Sequence, residues 1–127
     1  MREILFRGKT FNDKWVEGAL VKWSKAHSII RKYGSDTIGL YEYSVVPETV
    51  GQYTGLTDKN GKKIFEGDCF KTYCTGLPVY KHIVGYYPEH FAFMARCVEM
   101  NTIHYLSDYR PSAIEVIGNV HDGGAYD

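Results

Sequence analysis

The sequence predicts a mainly β protein, an antiparallel barrel-like or strongly curled sheet with little helix. Short apolar stretches rich in Tyr, Val and Ile alternate with polar residues at a period of two. Gly, Pro and Asn-Asp punctuation separates them at close intervals. No stretch sustains a helical period, and residues 22–33 are the best place for a hidden turn of helix. About eight to ten strands would use the chain, and closure into a barrel would remove their exposed edges.

In order, residues 3–8 (EILFRG) form a first strand, and Asn12-Asp13 folds the next segment back. Residues 14–23 place Trp15, Ala19, Val21 and Trp23 on one face, interrupted by Glu17, with Gly18 marking a bend or bulge. A polar connection over 24–28 leads into an extended piece at Ile29-Ile30, which Gly34-Ser35-Asp36 ends. Residues 37–46 set Tyr41, Tyr43 and Val45 on one face, and Pro47 stops the strand.

Residues 50–56 follow, then Asp58-Lys59-Asn60-Gly61, whose Asn-Gly pair suits the positive φ angles of a tight hairpin turn. Ile64-Phe65 and a second turn, Glu66-Gly67-Asp68, precede the alternating residues 69–74. A meander of residues 79–87 and 91–100 is punctuated by Pro78 and Pro88, with Phe91, Phe93, Ala95 and Cys97 on one face. Residues 101–109 read as a weaker strand or loop broken at Arg110-Pro111. Residues 114–120 close the sheet with Ile114, Val116 and Val120 aligned, before a frayed tail.

At 127 residues the chain is expected to be a single domain, residues 1–127, with one core. Fifteen basic residues balance fifteen acidic ones, which removes a global field toward nucleic acid or an anionic membrane. Eleven Tyr favour strands and contact surfaces alike. Three cysteines, Cys69, Cys74 and Cys97, are too few for a disulfide framework and read as reduced thiols. No segment approaches the roughly 20 apolar residues of a membrane helix, so a soluble, cytoplasmic protein without membrane contact is expected.

Distinctive words stand in a fixed order along the chain: REILFRG at the start, TVGQYTGL at 49–56, DKNG at 58–61, EGD at 66–68 and EVIGN at 115–119. In these the sequence resembles the YopX family of bacteriophage and prophage proteins. The resemblance implies a mainly β, barrel-like protein of the bacterial host cytoplasm that self-associates, and it implies no activity. Cys69 departs from the Ile or Val that usually follows the Gly-Asp turn, and His121-Asp122-Gly123-Gly124 replaces the family's usual ending.

Chemistry is sparse. Cys69 and Cys74 lie five apart and no second pair has zinc-site spacing, so no metal site and no cofactor are expected. Glu66 and Asp68 could share a cation or a proton, but an Asp at a turn more often caps backbone N–H groups. The five histidines are scattered, and His82, on the Tyr80-Val84-Tyr86 face, reads as a packed imidazole. With no nucleophile elbow or phosphate loop, no catalytic residues are assigned, and a metal-dependent enzyme ranks last. The leading expectation is a non-enzymatic protein-binding or self-associating module whose partner is a second copy or a host or phage protein. The alternative is a nucleic-acid-binding protein that uses Lys59, Lys62 and Lys63 at the hairpin tip with Tyr53 nearby, as basic groups beside aromatics hold single strands by charge and stacking.

Overall fold

The computed structural model describes residues 2–32 and 39–123, so the expected chain reversal at Gly34-Ser35-Asp36 and the last four residues of the tail lie outside the described residues. By its internal contacts the chain divides into two compact units, Met1–Tyr53 and Thr54–Asp127.

The first unit is an antiparallel array. Strands β1 (Phe6–Lys9), β2 (Trp15–Lys22), β3 (His27–Lys32) and β4 (Leu40–Val45) follow one another in space as in sequence, and the start of β5 (Gly51–Thr57) pairs with the free side of β1. The first hairpin turns where Asn12-Asp13 predicts it, with Asp13 at φ 66° and its N–H on the Thr10 carbonyl. Val16, Ile29 and Val45 form the core, with Phe6, Leu20, Tyr43 and Val50 packed against it.

Strand β2 therefore buries the face opposite to the expected one. Gly18 makes no bulge: a Cβ there would stand 2.3 Å from the Ile30 carbonyl oxygen, so the glycine lets β3 lie flush on Val16 and Leu20. The large ring of Trp15 goes to the other side, where the Arg7 guanidinium covers it at 4.8 Å. No helical turn forms over 22–32, because residues 27–30 pair with β2 and residues 27–32 with β4.

The second unit takes the rest of β5, which is followed by β6 (Lys63–Phe65), β7 (Asp68–Thr72), β8 (Lys81–Tyr87), β9 (Ala92–Cys97), β10 (Thr102–Tyr105) and β11 (Ile114–Asn119). The last five form one antiparallel sheet in the order β10-β9-β8-β7-β11. Ile64, Phe70, Val84, Ala95, Leu106 and Ile114 make its core. Phe91, expected on the buried face of β9, sits instead in the left-handed turn before it at φ 51° and is exposed. A register shift between Val116 and Gly118 flips the alternation of β11, so Asn119 becomes buried.

The chain thus forms antiparallel sheets with only short 3-10 turns among the described residues, as the sequence predicts, but no closed barrel. Closing the second sheet would require β10 to meet β11. The outer side of β11 is already taken: the Ile114 carbonyl accepts from the Lys59 N–H at 2.9 Å, and the Val116 N–H donates to Asp58 at 3.0 Å.

Asp58 is the organising residue of this corner. Only Gly61 has positive φ in the Asp58-Lys59-Asn60-Gly61 turn, which makes it a type I turn with a glycine bulge rather than the mirror-image turn expected from Asn-Gly. The carboxylate, 4% exposed, accepts from the Asn60 and Lys62 N–H groups on one oxygen, both at 2.9 Å, and from Val116 on the other. Burial alone pushes this carboxyl up, but those three N–H groups and the Lys62 charge outweigh it and hold it below its ordinary value.

Asp58→Asn keeps the shape while trading one acceptor oxygen for an NH2 group, and is expected to cost about 1–3 kcal/mol by denaturant titration at neutral pH. Because the folded value lies below the unfolded one, the carboxylate contributes fully above the unfolded pKa and loses its contribution as pH falls through the folded one. The wild-type advantage over the variant should accordingly shrink in acid. An advantage independent of pH down to the acid limit of folding would contradict this role.

Candidate functional site

A cleft of about 660 Å³ opens at one end of the second unit's sheet, within the size range of small-molecule sites. Strand register builds its floor. Phe70, His82, Cys97 and Thr102 stand directly opposite one another across β7, β8, β9 and β10, with Thr72 and His104 beside them on the same face. The apolar core of Phe70, Val84 and Ala95 gives way here to polar side chains.

The roof is the segment between β10 and β11. Leu106, 1% exposed, anchors a 3-10 turn over Leu106–Asp108 in the core. Arg110 is extended before Pro111, as a residue preceding proline must be, and a second 3-10 turn over Pro111–Ala113 returns the chain to β11. Tyr109, between the two turns, is swung over the sheet and packs edge-on against both Phe70 and His82.

His82 is the centre of this group. It is buried, its ring stacks on Phe70 at 4.8 Å, and each ring nitrogen meets a hydroxyl: Nε2 lies 3.3 Å from Thr72 Oγ1 and Nδ1 lies 3.4 Å from Tyr109 Oη. Burial holds the imidazole below its ordinary pKa, nearby His104 adds to the effect, and Glu99 opposes it. Burial likewise raises the Tyr109 phenol and the Cys69 thiol, so these groups stay neutral at neutral pH.

The residues expected from sequence to bind lie elsewhere. Tyr53 is in the first unit and only 8% exposed, so its ring is not an open stacking surface. Lys59 and Lys62 are exposed on the β5–β6 hairpin and Lys63 is half-buried in β6. The aromatic partner of Lys59 is Tyr73, whose ring lies 4.6 Å below the ammonium and is itself exposed. Asp68 acts as a cap: its buried carboxylate accepts from the Phe65 N–H at 2.8 Å. Among the described residues no three His, Cys, Asp or Glu side chains are placed to hold a metal ion.

Thr72 and Tyr109 were not legible as partners of His82. They stand 10 and 27 positions from it, and only the alternation of β7 and the Arg110-Pro111 break point toward them.

Comparison with known proteins agrees with the words noted in the sequence. The family model described as YopX protein matches residues 5–124, nearly the whole chain. The chain belongs to the YopX family. Among solved structures, this YopX protein is similar to protein EF1440 from Enterococcus faecalis, at 20% identity and a TM-score of 0.57, with 96% of each chain covered. That likeness is one of fold. No curated protein matches it. Among the described residues this YopX chain has no helix long and apolar enough to cross a membrane.

A His82 pKa depressed in the folded state contributes stability that is fully present above the unfolded histidine value and is lost as pH falls through the folded one. Proton titration followed by NMR should place the His82 midpoint below the ordinary histidine value. His82→Gln should flatten the stability loss between neutral and mildly acidic pH. An ordinary midpoint for His82 would show that its burial is not maintained in solution.

Proposed function

We propose that this YopX protein is a non-enzymatic accessory protein of phage or prophage origin, acting in the bacterial host cytoplasm, that self-associates by pairing strand β10 with β10 of a second copy. The observation that carries this reading is the unprotected state of that edge. All of Thr102–Tyr105 is exposed, including the apolar Ile103 and the Tyr105 ring, and no Pro, Lys, acidic residue or bulge interrupts the strand. Proteins ordinarily blunt such edges.

The other edge of the same sheet is blunted in this way. Strand β11 carries Glu115 and a register shift, and the Asp58 turn covers it. In the first unit, edge strand β4 carries Glu42 and is bridged at Val45 by Thr10. Two copies of β10 related by a two-fold axis would pair antiparallel and extend the sheet, which suits the closed symmetry of most homo-oligomers. The same edge would accept an extended segment of a host or phage protein by strand addition.

The polar groups of the cleft also favour binding over catalysis, because each ring nitrogen of His82 meets a hydroxyl rather than a carboxylate that would orient it as a base. Light scattering across micromolar concentrations should give a mass above one chain for the wild type. Ile103→Lys, which puts a charge on an exposed edge and leaves the core untouched, should give the mass of one chain with an unchanged far-ultraviolet spectrum. A wild type of single-chain mass throughout that range would sink self-association.

A second reading rests on the exposed Lys59–Tyr73 pair, which offers an ammonium and a ring face side by side near Lys62. Such a pair suits single-stranded nucleic acid. Fluorescence anisotropy with a labelled single strand should then show affinity that falls with salt and weakens when Lys59→Ala and Lys62→Ala are combined. Absence of binding at low salt would eliminate this use of the hairpin.

A further inference from the structure

The cleft over His82 has a hydrogen-bonding remainder that its own residues do not use. A neutral imidazole offers one N–H and one bare nitrogen. The bare nitrogen takes the proton of one neighbouring hydroxyl, and the N–H donates to the oxygen of the other. Three protons, one from the imidazole and one from each hydroxyl, thus serve two contacts. Whichever tautomer is present, one hydroxyl keeps a proton with no other partner among the described residues.

That spare donor faces a cleft whose walls are largely apolar, with Leu77, Pro78, Met100 and the ring of Tyr80 lining it. Thr72 and Tyr109 both line the same space. The charged groups that line it, Asp108 and Arg110, are of opposite sign and leave no net charge to recognise an ion. Its volume of about 660 Å³ accommodates one or two rings.

We propose that this cleft binds a small uncharged ring compound bearing a hydrogen-bond acceptor, whose body packs on Met100 and Tyr80 and whose acceptor takes the spare hydroxyl proton of Thr72 or Tyr109. The imidazole serves as a switchboard: exchanging its tautomer moves the donor from one hydroxyl to the other, so acceptors at two positions in the cleft are recognised by the same three side chains. Burial keeps His82 neutral, which preserves the exchange. This inference is independent of pairing at β10.

Acetophenone, a ring with an acceptor and no donor, and toluene, a ring with neither, are the probes. Titration of the full chain with acetophenone, followed by amide and imidazole NMR shifts, should move signals of His82, Tyr109 and Met100. Combining Thr72→Val, His82→Phe and Tyr109→Phe removes all three donors, including the imidazole N–H that loss of the hydroxyls alone would leave unpartnered, and broadly retains the shape. It should weaken acetophenone about tenfold, the worth of one hydrogen bond near 1.4 kcal/mol, and leave toluene little changed. Leu77→Trp, at a position 65% exposed and so tolerant of a larger ring, should obstruct the cleft and abolish the shifts from both probes. Acetophenone shifts that are absent from the cleft residues of the folded wild type, or that survive Leu77→Trp, would overturn the proposal. Equal acetophenone affinity in the wild type and the folded triple variant would do the same.

Discussion

The carboxylate of Asp58 is the interaction on which the second unit depends. Three backbone N–H groups converge on it, two from its own turn and one from β11, 58 positions away. A buried carboxylate is costly unless hydrogen bonds satisfy it, and here they do so well that the charged form is favoured. The same residue shapes the hairpin and occupies the outer side of β11. One side chain therefore helps to stop the sheet at β11, while the opposite edge, β10, is exposed.

Architecture was legible where period and punctuation act locally. Asn12-Asp13, Pro47, Glu66-Gly67-Asp68 and Pro88 each turn the chain where they stand. What failed was the inference of which face is buried, as in β2, where Gly18 rather than Trp15 faces the core because backbone contact with Ile30 leaves no room for a side chain. The barrel failed for a related reason: closure depends on what the two end strands do with their outer sides, and Asp58 claims one of them through a contact that no local pattern announces.

The candidate site was less legible than the fold. His82 was recognisable as a packed imidazole, but its chemistry lies in Thr72 and Tyr109, which the register of β7 and the roof segment bring to it. The basic hairpin was readable as a charged tip. Its aromatic neighbour was not, because Tyr53 is close in sequence whereas Tyr73 is close in space. Family membership followed readily from words such as DKNG and EGD, and in this chain each holds a carboxylate that organises backbone turns.

The distance in sequence between Asp58 and its third donor also sets an order of events during synthesis. The hairpin that carries Asp58 closes from neighbouring residues and can form early, whereas β11 emerges from the ribosome only after the whole meander of β7 to β10. Until then the outer side of β7 is open and the Asp58 carboxylate remains hydrated on one oxygen. A nascent chain paused before Ile114 exposes a second sticky edge that the finished protein lacks, and pairing of β11 with β7 closes it.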